Sequence, residues 1–183
     1  MNLPNKLTVA RMVLTPVFLL VVTLPFIPHP INLYIGFAVY LAGSVTDFLD
    51  GKIARKYNLI TVFGQLADPV ADKMLTTAAL LVFLENGACD VYTVFIILTR
   101  EFAVTAVRLA AAAQGVVIPA NIWGKLKTAS QMIFSIAILA SMAFGLQLVL
   151  LAAPVMMWIT AVLAVISGII YIAKGVKIID FNR

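Results

Sequence analysis

The sequence predicts an all-α integral membrane protein: six transmembrane helices forming one domain, residues 1–183, with both termini in the cytoplasm. Three observations carry that prediction. Of the 183 residues, 63% are hydrophobic and 11% charged, against about 25% charged in a soluble domain. The apolar residues gather into six runs, mostly near the roughly 20 residues needed to cross a hydrocarbon core. Short segments holding Pro, Gly and Asn, the usual punctuation of turns, separate the runs. No polar–apolar alternation points to a β-barrel, and no segment is polar enough for a separate soluble domain.

In the first run, Thr8–Phe26, the apolar stretch follows Lys6 and Arg11, as in a signal peptide. It is long, and no small-x-small cleavage site follows before Pro25 and Pro28, so it reads as a permanent span. Ile27-Pro28-His29-Pro30 turns the chain into Leu33–Ala54. The third run, Val70–Leu84, is short and carries Asp72 and Lys73 near its start. Glu85-Asn86-Gly87-Ala88-Cys89-Asp90 leads into Tyr92–Ala112, Gln114–Asn121 into Leu126–Phe144, and Gly145-Leu146-Gln147 into Leu148–Ala173. Cys89 and His29 fall in turns, without companions for a disulfide or a soft metal site.

Orientation follows from the basic residues. None of the 13 lies in the turns at 27–32, 85–91 or 145–147. Those that flank spans lie near the chain ends, in the 52–73 region, or around the 112–122 turn. The positive-inside rule assigns those parts to the cytoplasm. The net charge of +5 therefore suits anionic lipid headgroups and phosphorylated substrates. It does not suggest nucleic acid, because no soluble basic module is present.

Only 8 residues are acidic, and four of them, Asp47, Asp50, Asp68 and Asp72, fall within 26 positions. Carboxylates near hydrocarbon are unfavourable unless paired or metal-bound. Asp47 and Asp50 are three apart and share a helical face; Asp68 and Asp72 are four apart and do the same. A short connection makes the two helices antiparallel neighbours, so the four carboxylates can converge near the cytoplasmic surface. Hard oxygen donors favour Mg²⁺, Mn²⁺ or Ca²⁺, and four charges suffice for two divalent ions. Gly51, Ala54 and Gly64 leave room for a phosphate to approach the backbone. Arg55 can grip a phosphate bidentately. Pro69 fits if Asp68 caps the third helix. The plain alternative is a set of solvated helix ends bridged to Lys52, Arg55, Lys56 and Lys73.

The run Asp47-x-x-Asp50-Gly51-x-x-Ala54-Arg55, then eight residues, then Gly64-x-x-x-Asp68-x-x-x-Asp72 resembles the signature of the CDP-alcohol phosphatidyltransferases, without departure at its eight fixed positions. The resemblance covers nearly the whole chain. It implies a six-helix membrane domain, a homodimer and a CDP-linked lipid donor. It further implies that Asp47, Asp50, Asp68 and Asp72 bind two metal ions, Mg²⁺ or Mn²⁺. Gly51, Ala54, Arg55 and Gly64 would line the CDP site, and Asp72 would be the catalytic base.

A second, basic group bears on the acceptor. Arg100 and Arg108 are eight apart in the fourth run, about 12 Å along a helix and about 80° around it. Arg100 lies near mid-helix. Its neighbour Glu101 projects in another direction, so Arg100 is expected to need a different counterion, such as a bound phosphate. Lys125 and Lys127 stand near the start of the fifth run, where a helix N-terminus adds to their pull on an anion. Structural readings stand beside these: an Arg100 pair with Glu101 or another acid, and lysines that snorkel to the membrane boundary.

The stretches Thr99-Arg100-Glu101 with Arg108, and Gly124-Lys125-Leu126-Lys127-Thr128-x-x-Gln131, are similar to the phosphatidylglycerolphosphate synthase branch of the family, as is Asn5-x-x-Thr8-x-x-Arg11. That branch implies phosphatidyl transfer from CDP-diacylglycerol to sn-glycerol 3-phosphate at the cytoplasmic face of a bacterial-type membrane. The acceptor phosphate would lie on Arg100, Arg108, Lys125 and Lys127. Thr8 and Arg11 would reach a donor or acceptor phosphate, or Arg11 would anchor topology. Inositol phosphate and phosphatidylglycerol are alternative acceptors. A divalent-cation transporter is the alternative of another class, although transporter repeats are not visible.

Overall fold

The structure, a computed structural model, describes residues 2–56, 61–116, 118 and 121–176. The side chains of residues 3, 4, 48–56, 62, 63, 65 and 66 lie outside that description. The described residues hold six helices and no strand: α1 (Leu3–Thr23), α2 (Ile31–Lys56), α3 (Val62–Glu85), α4 (Val91–Ala113), α5 (Ile122–Phe144) and α6 (Gln147–Val176). Among the described residues, three stretches are long and apolar enough to cross a membrane: Asn5–Thr23 of α1, α5 and α6. At 26, 24 and 23 residues, α2, α3 and α4 are of comparable length, but charged residues interrupt them.

The helix ends explain the boundaries. Asn2 caps α1 through the Asn5 amide at 3.1 Å, and a proline in the first turn removes a donor that would otherwise lack a partner. Thr61 caps α3, accepting from the Gly64 amide at 3.0 Å. This corrects the expected helix start: Asp68 is not the cap, and Pro69 lies inside α3. A threonine cap seven residues upstream outweighs the single ladder hydrogen bond that Pro69 removes. Asp90 caps α4, accepting from the Thr93 amide at 2.9 Å and its hydroxyl at 2.8 Å. Both α3 and α4 end in glycines of positive φ, Gly87 at 71° and Gly115 at 74°. There the chain reverses into the left-handed region that other residues resist.

The residues pack as two units, one of Met1–Ala88 with Ser135–Leu151 and one of Cys89–Phe134 with Ala152–Arg183. In the first, α1 lies against both α2 and α3. Close approach rather than water exclusion drives helix association in lipid. Gly36 supplies it, since a β-carbon there would fall 2.3 Å from Val22 Cγ2. Phe18 and Tyr40 pack with ring centroids 5.7 Å apart. Asn32 donates from Nδ2 to the Val22 carbonyl at 3.1 Å and ties the α1–α2 turn.

In the second unit, α6 turns small residues inward: Ala153, Ala161, Ala164, Ser167, Gly168 and Gly175 are buried. A β-carbon on Gly175 would stand 2.4 Å from Val107 Cγ1. Val104, Ala111, Ile118 and Tyr171 form a buried apolar cluster.

Candidate active site

The first unit carries a polar stripe on α1. Asn5, Thr8, Arg11 and Thr15 recur every three or four residues, hence on one face, and all four are buried. Each of the first three meets another part of the chain. Asn5 Oδ1 accepts from the Thr61 hydroxyl at 2.9 Å. The Thr8 hydroxyl donates to Asp68 Oδ1 at 2.5 Å. Arg11 Nη1 donates to Asp47 Oδ1 at 2.6 Å. Thr8 and Arg11 are about 4.5 Å apart along the axis. Carboxylates from α2 and α3 are therefore brought to adjacent turns of a single helix.

Gly64 completes this arrangement. A β-carbon there would lie 3.2 Å from both Asn5 Oδ1 and Thr61 Oγ1 and 3.6 Å from Asp68 Oδ2. Three oxygens thus ring a bare α-carbon, leaving a cradle that any side chain would fill. Asp72 follows Asp68 by one turn of continuous α3. Asp50, Gly51, Ala54 and Arg55 continue the α2 backbone, but their side chains lie outside the described residues. Among the described residues, no three His, Cys, Asp or Glu side chains form one group.

The second unit carries the basic residues. Arg100 donates from Nε to Ser167 Oγ at 3.1 Å and from Nη1 to Glu101 Oε1 at 3.2 Å. The expectation that Glu101 is out of reach is corrected. Adjacent helical positions diverge by about 100°, but both side chains are long, and Lys127 of α5 bonds to the same Glu101 oxygen. Lys127 is 2% exposed and also bonds to Gln131, so it does not snorkel. Two cations meet one carboxylate oxygen here. Arg108 is exposed and donates from Nε to the Tyr171 hydroxyl at 2.9 Å. Lys125 is exposed in the first turn of α5, which begins after Asn121, whose Oδ1 accepts from the Gly124 amide at 2.6 Å.

The Arg100–Glu101 pair is the structural alternative the sequence offered, whereas Ser167 and Tyr171 were not foreseen as partners of the arginines. Spacings near three and four along α6 mark Ser167 and Tyr171 as sharing a face, but nothing in the sequence joins them to α4.

The sequence model of the CDP-alcohol phosphatidyltransferase family matches residues 1–166. The chain belongs to that family. It is similar to the CDP-diacylglycerol–glycerol-3-phosphate 3-phosphatidyltransferase of Bacillus subtilis, with 37% identity over 95% of each chain. The enzyme of the same name from Rickettsia typhi is 39% identical over 93% of this chain and 94% of its own. A probable phosphatidylglycerophosphate synthase of Mycobacterium tuberculosis is 37% identical over 96% of this chain and 82% of its own.

Members of the family are membrane-integral transferases that generally depend on divalent metal. The residues present fit such an ion. The donors are hard carboxylate oxygens. Among the described residues, Asp47 and Asp68 are each bonded through Oδ1, and the Gly64 cradle admits a group beside Asp68 Oδ2.

Proposed function

We propose that the chain transfers a phosphatidyl group from CDP-diacylglycerol to sn-glycerol 3-phosphate, releasing CMP and forming phosphatidylglycerol phosphate. The observation that carries this reading is near-full-length similarity to relatives named for that reaction. The eight-position acid–glycine signature, held on α1 by Thr8 and Arg11, supports it.

The reading assigns a role to each group. Asp47, Asp50, Asp68 and Asp72 would hold two Mg²⁺ or Mn²⁺ ions, which supply charge neutralisation at the pyrophosphate. Gly51, Ala54, Arg55 and Gly64 receive the CDP moiety. Asp72 takes the proton from the 1-hydroxyl of glycerol 3-phosphate. The freed oxygen bonds to the β-phosphorus, the bond from that phosphorus to the CMP oxygen breaks, and CMP leaves. Arg100, Arg108 and Lys125 hold the acceptor phosphate, and Lys127 contributes by fixing Glu101. Thr8 and Arg11 act by orienting Asp68 and Asp47. In this reading all six helices cross the membrane, the termini and the reacting groups face the cytoplasm, and the enzyme works as a homodimer.

The test is CMP release by purified protein from CDP-diacylglycerol with Mg²⁺ or Mn²⁺. Glycerol 3-phosphate, inositol phosphate, serine and phosphatidylglycerol are compared as acceptors. Turnover that requires both metal and glycerol 3-phosphate supports the reading. Turnover with another acceptor refutes the roles given to Arg100, Arg108 and Lys125. Failure with every acceptor in folded protein refutes the transferase reading for this chain.

A further inference from the structure

Two arginines on α4 are held in the same unusual way. Arg100 gives its Nε–H to Ser167 Oγ, and Arg108 gives its Nε–H to the hydroxyl of Tyr171. In each case the bond uses the inner nitrogen, at the root of the guanidinium. Both acceptors stand on one face of α6, four residues apart.

The spacings differ between the two helices. Eight residues separate the arginines along α4, about 12 Å of axial rise, whereas four separate Ser167 and Tyr171 along α6, about 6 Å. A short side chain, Ser167, and a long one, Tyr171, each reach the inner nitrogen of one arginine. Gly168 makes room for the stem of Arg100, since a β-carbon there would fall 2.9 Å from Arg100 Cγ.

Tyr171 is itself fixed. It is 2% exposed, and its hydroxyl donates to the Ile118 carbonyl at 2.9 Å. With that proton committed, the hydroxyl faces Arg108 as an acceptor. The ring also lies under the guanidinium, with Arg108 Cζ 5.1 Å from its centroid, within cation–π range. Arg108 is thus held by its inner nitrogen and by its face, while both terminal nitrogens have no partner among the described residues. Those nitrogens form the edge of the fork that binds an anionic group bidentately.

We infer that Tyr171, together with Ser167, is a positioning residue that pre-sets the arginine fork for the phosphate of the acceptor. This rests on the acceptor role proposed above for Arg100 and Arg108. Neither hydroxyl touches the substrate. Each acts by fixing a long side chain that would otherwise lose its freedom on binding.

Steady-state kinetics of CMP release test the inference. Tyr171→Phe keeps the ring and removes the hydroxyl. The expected result is a KM for glycerol 3-phosphate raised about 10-fold, with kcat and the KM for CDP-diacylglycerol within about twofold of the parent. Ser167→Ala is expected to raise the same KM about threefold, and Ser167→Thr, which restores a hydroxyl, to recover it. A purely structural role lowers the amount of active protein and kcat but leaves that KM in place. Arg108→Ala is measured alongside. If it raises the acceptor KM while Tyr171→Phe and Ser167→Ala do not, the positioning inference is overturned and the acceptor reading stands. If Arg108→Ala also leaves the acceptor KM unchanged, the acceptor reading falls and the inference falls with it.

Discussion

Arg11 of α1 and Asp47 of α2 form an ion pair of 2.6 Å in which the arginine side chain is fully buried and the aspartate is 39% exposed. The contact joins two helices through a residue that the family signature also claims as a metal ligand. Arg11→Met strands the carboxylate. A fully buried pair broken in this way costs about 3–5 kcal/mol; because Asp47 is partly exposed, about 1–3 kcal/mol is expected. A divalent cation at Asp47 would replace the missing charge. Mn²⁺ should therefore raise the thermal midpoint of Arg11→Met by more than that of the parent. Equal shifts in detergent-solubilised protein would show that Arg11 does not act on a metal-binding carboxylate.

Asp72→Asn keeps the shape of the side chain and removes its basicity. Turnover is expected to fall by about 10²–10⁴-fold, the usual worth of a positioned base, while part of the binding of CDP-diacylglycerol persists. Single-turnover CMP release and a separate binding measurement check this. Undiminished turnover would remove Asp72 from the base role.

Gly64→Ala places a methyl group 3.2 Å from Asn5 Oδ1 and Thr61 Oγ1. Overpacking of this kind costs about 1–3 kcal/mol. Here the displaced atoms include the cap of α3 and the oxygens around the proposed CDP approach. The expected outcome is a donor KM raised about 10-fold or more with the acceptor KM little changed. The reverse pattern would separate Gly64 from the donor.

The turn before α4 gives a pH signature. Burial, followed by the nearby Asp90 carboxylate, pushes the Cys89 thiol up to about 11 from 9.0. A two-unit rise leaves about 100-fold less thiolate near neutrality, so alkylation at pH 8 should be about 100-fold slower in folded than in unfolded protein. Because the folded value is raised, the stability linked to Cys89 is intact below the unfolded range and is lost as pH rises through about 11. Asp90 has the opposite sign. Its bond from the Thr93 amide holds the carboxyl below the usual range. Its contribution is present above that range and is lost as pH falls through the lowered value. Alkylation kinetics and melting curves across pH check both.

The carboxylate signature was legible because it is local: the spacings along α2 and α3 follow from helix periodicity. Its supports were not. Thr8 meets Asp68 across 60 residues, and Arg11 meets Asp47 across 36, and no periodicity in a single helix announces a partner in another. Existence and order of the six helices could be read from hydropathy, whereas the start of α3 could not. Pro69 and Asp68 imitate a helix beginning, whereas the true cap, Thr61, sits between apolar neighbours, Leu59-Ile60 and Val62-Phe63, with no Pro or acidic first turn to mark a start. Arg100 and Glu101 show the limit of face arguments. Neighbours that diverge at the β-carbon still meet when both side chains are long and Lys127 of α5 bonds to the same carboxylate.

The polar face of α1 also bears on how the protein is made. Arg11 is the ninth residue of a helix that runs from Leu3 to Thr23, and its acid lies 36 residues further along the chain. When α1 first enters the bilayer, Asp47 has yet to emerge. A central arginine opposes insertion of an isolated span by about 2.5–3.5 kcal/mol. The first helix therefore reaches its lowest energy only after the second has been synthesised, and membrane integration of this chain is expected to proceed by hairpin rather than one helix at a time.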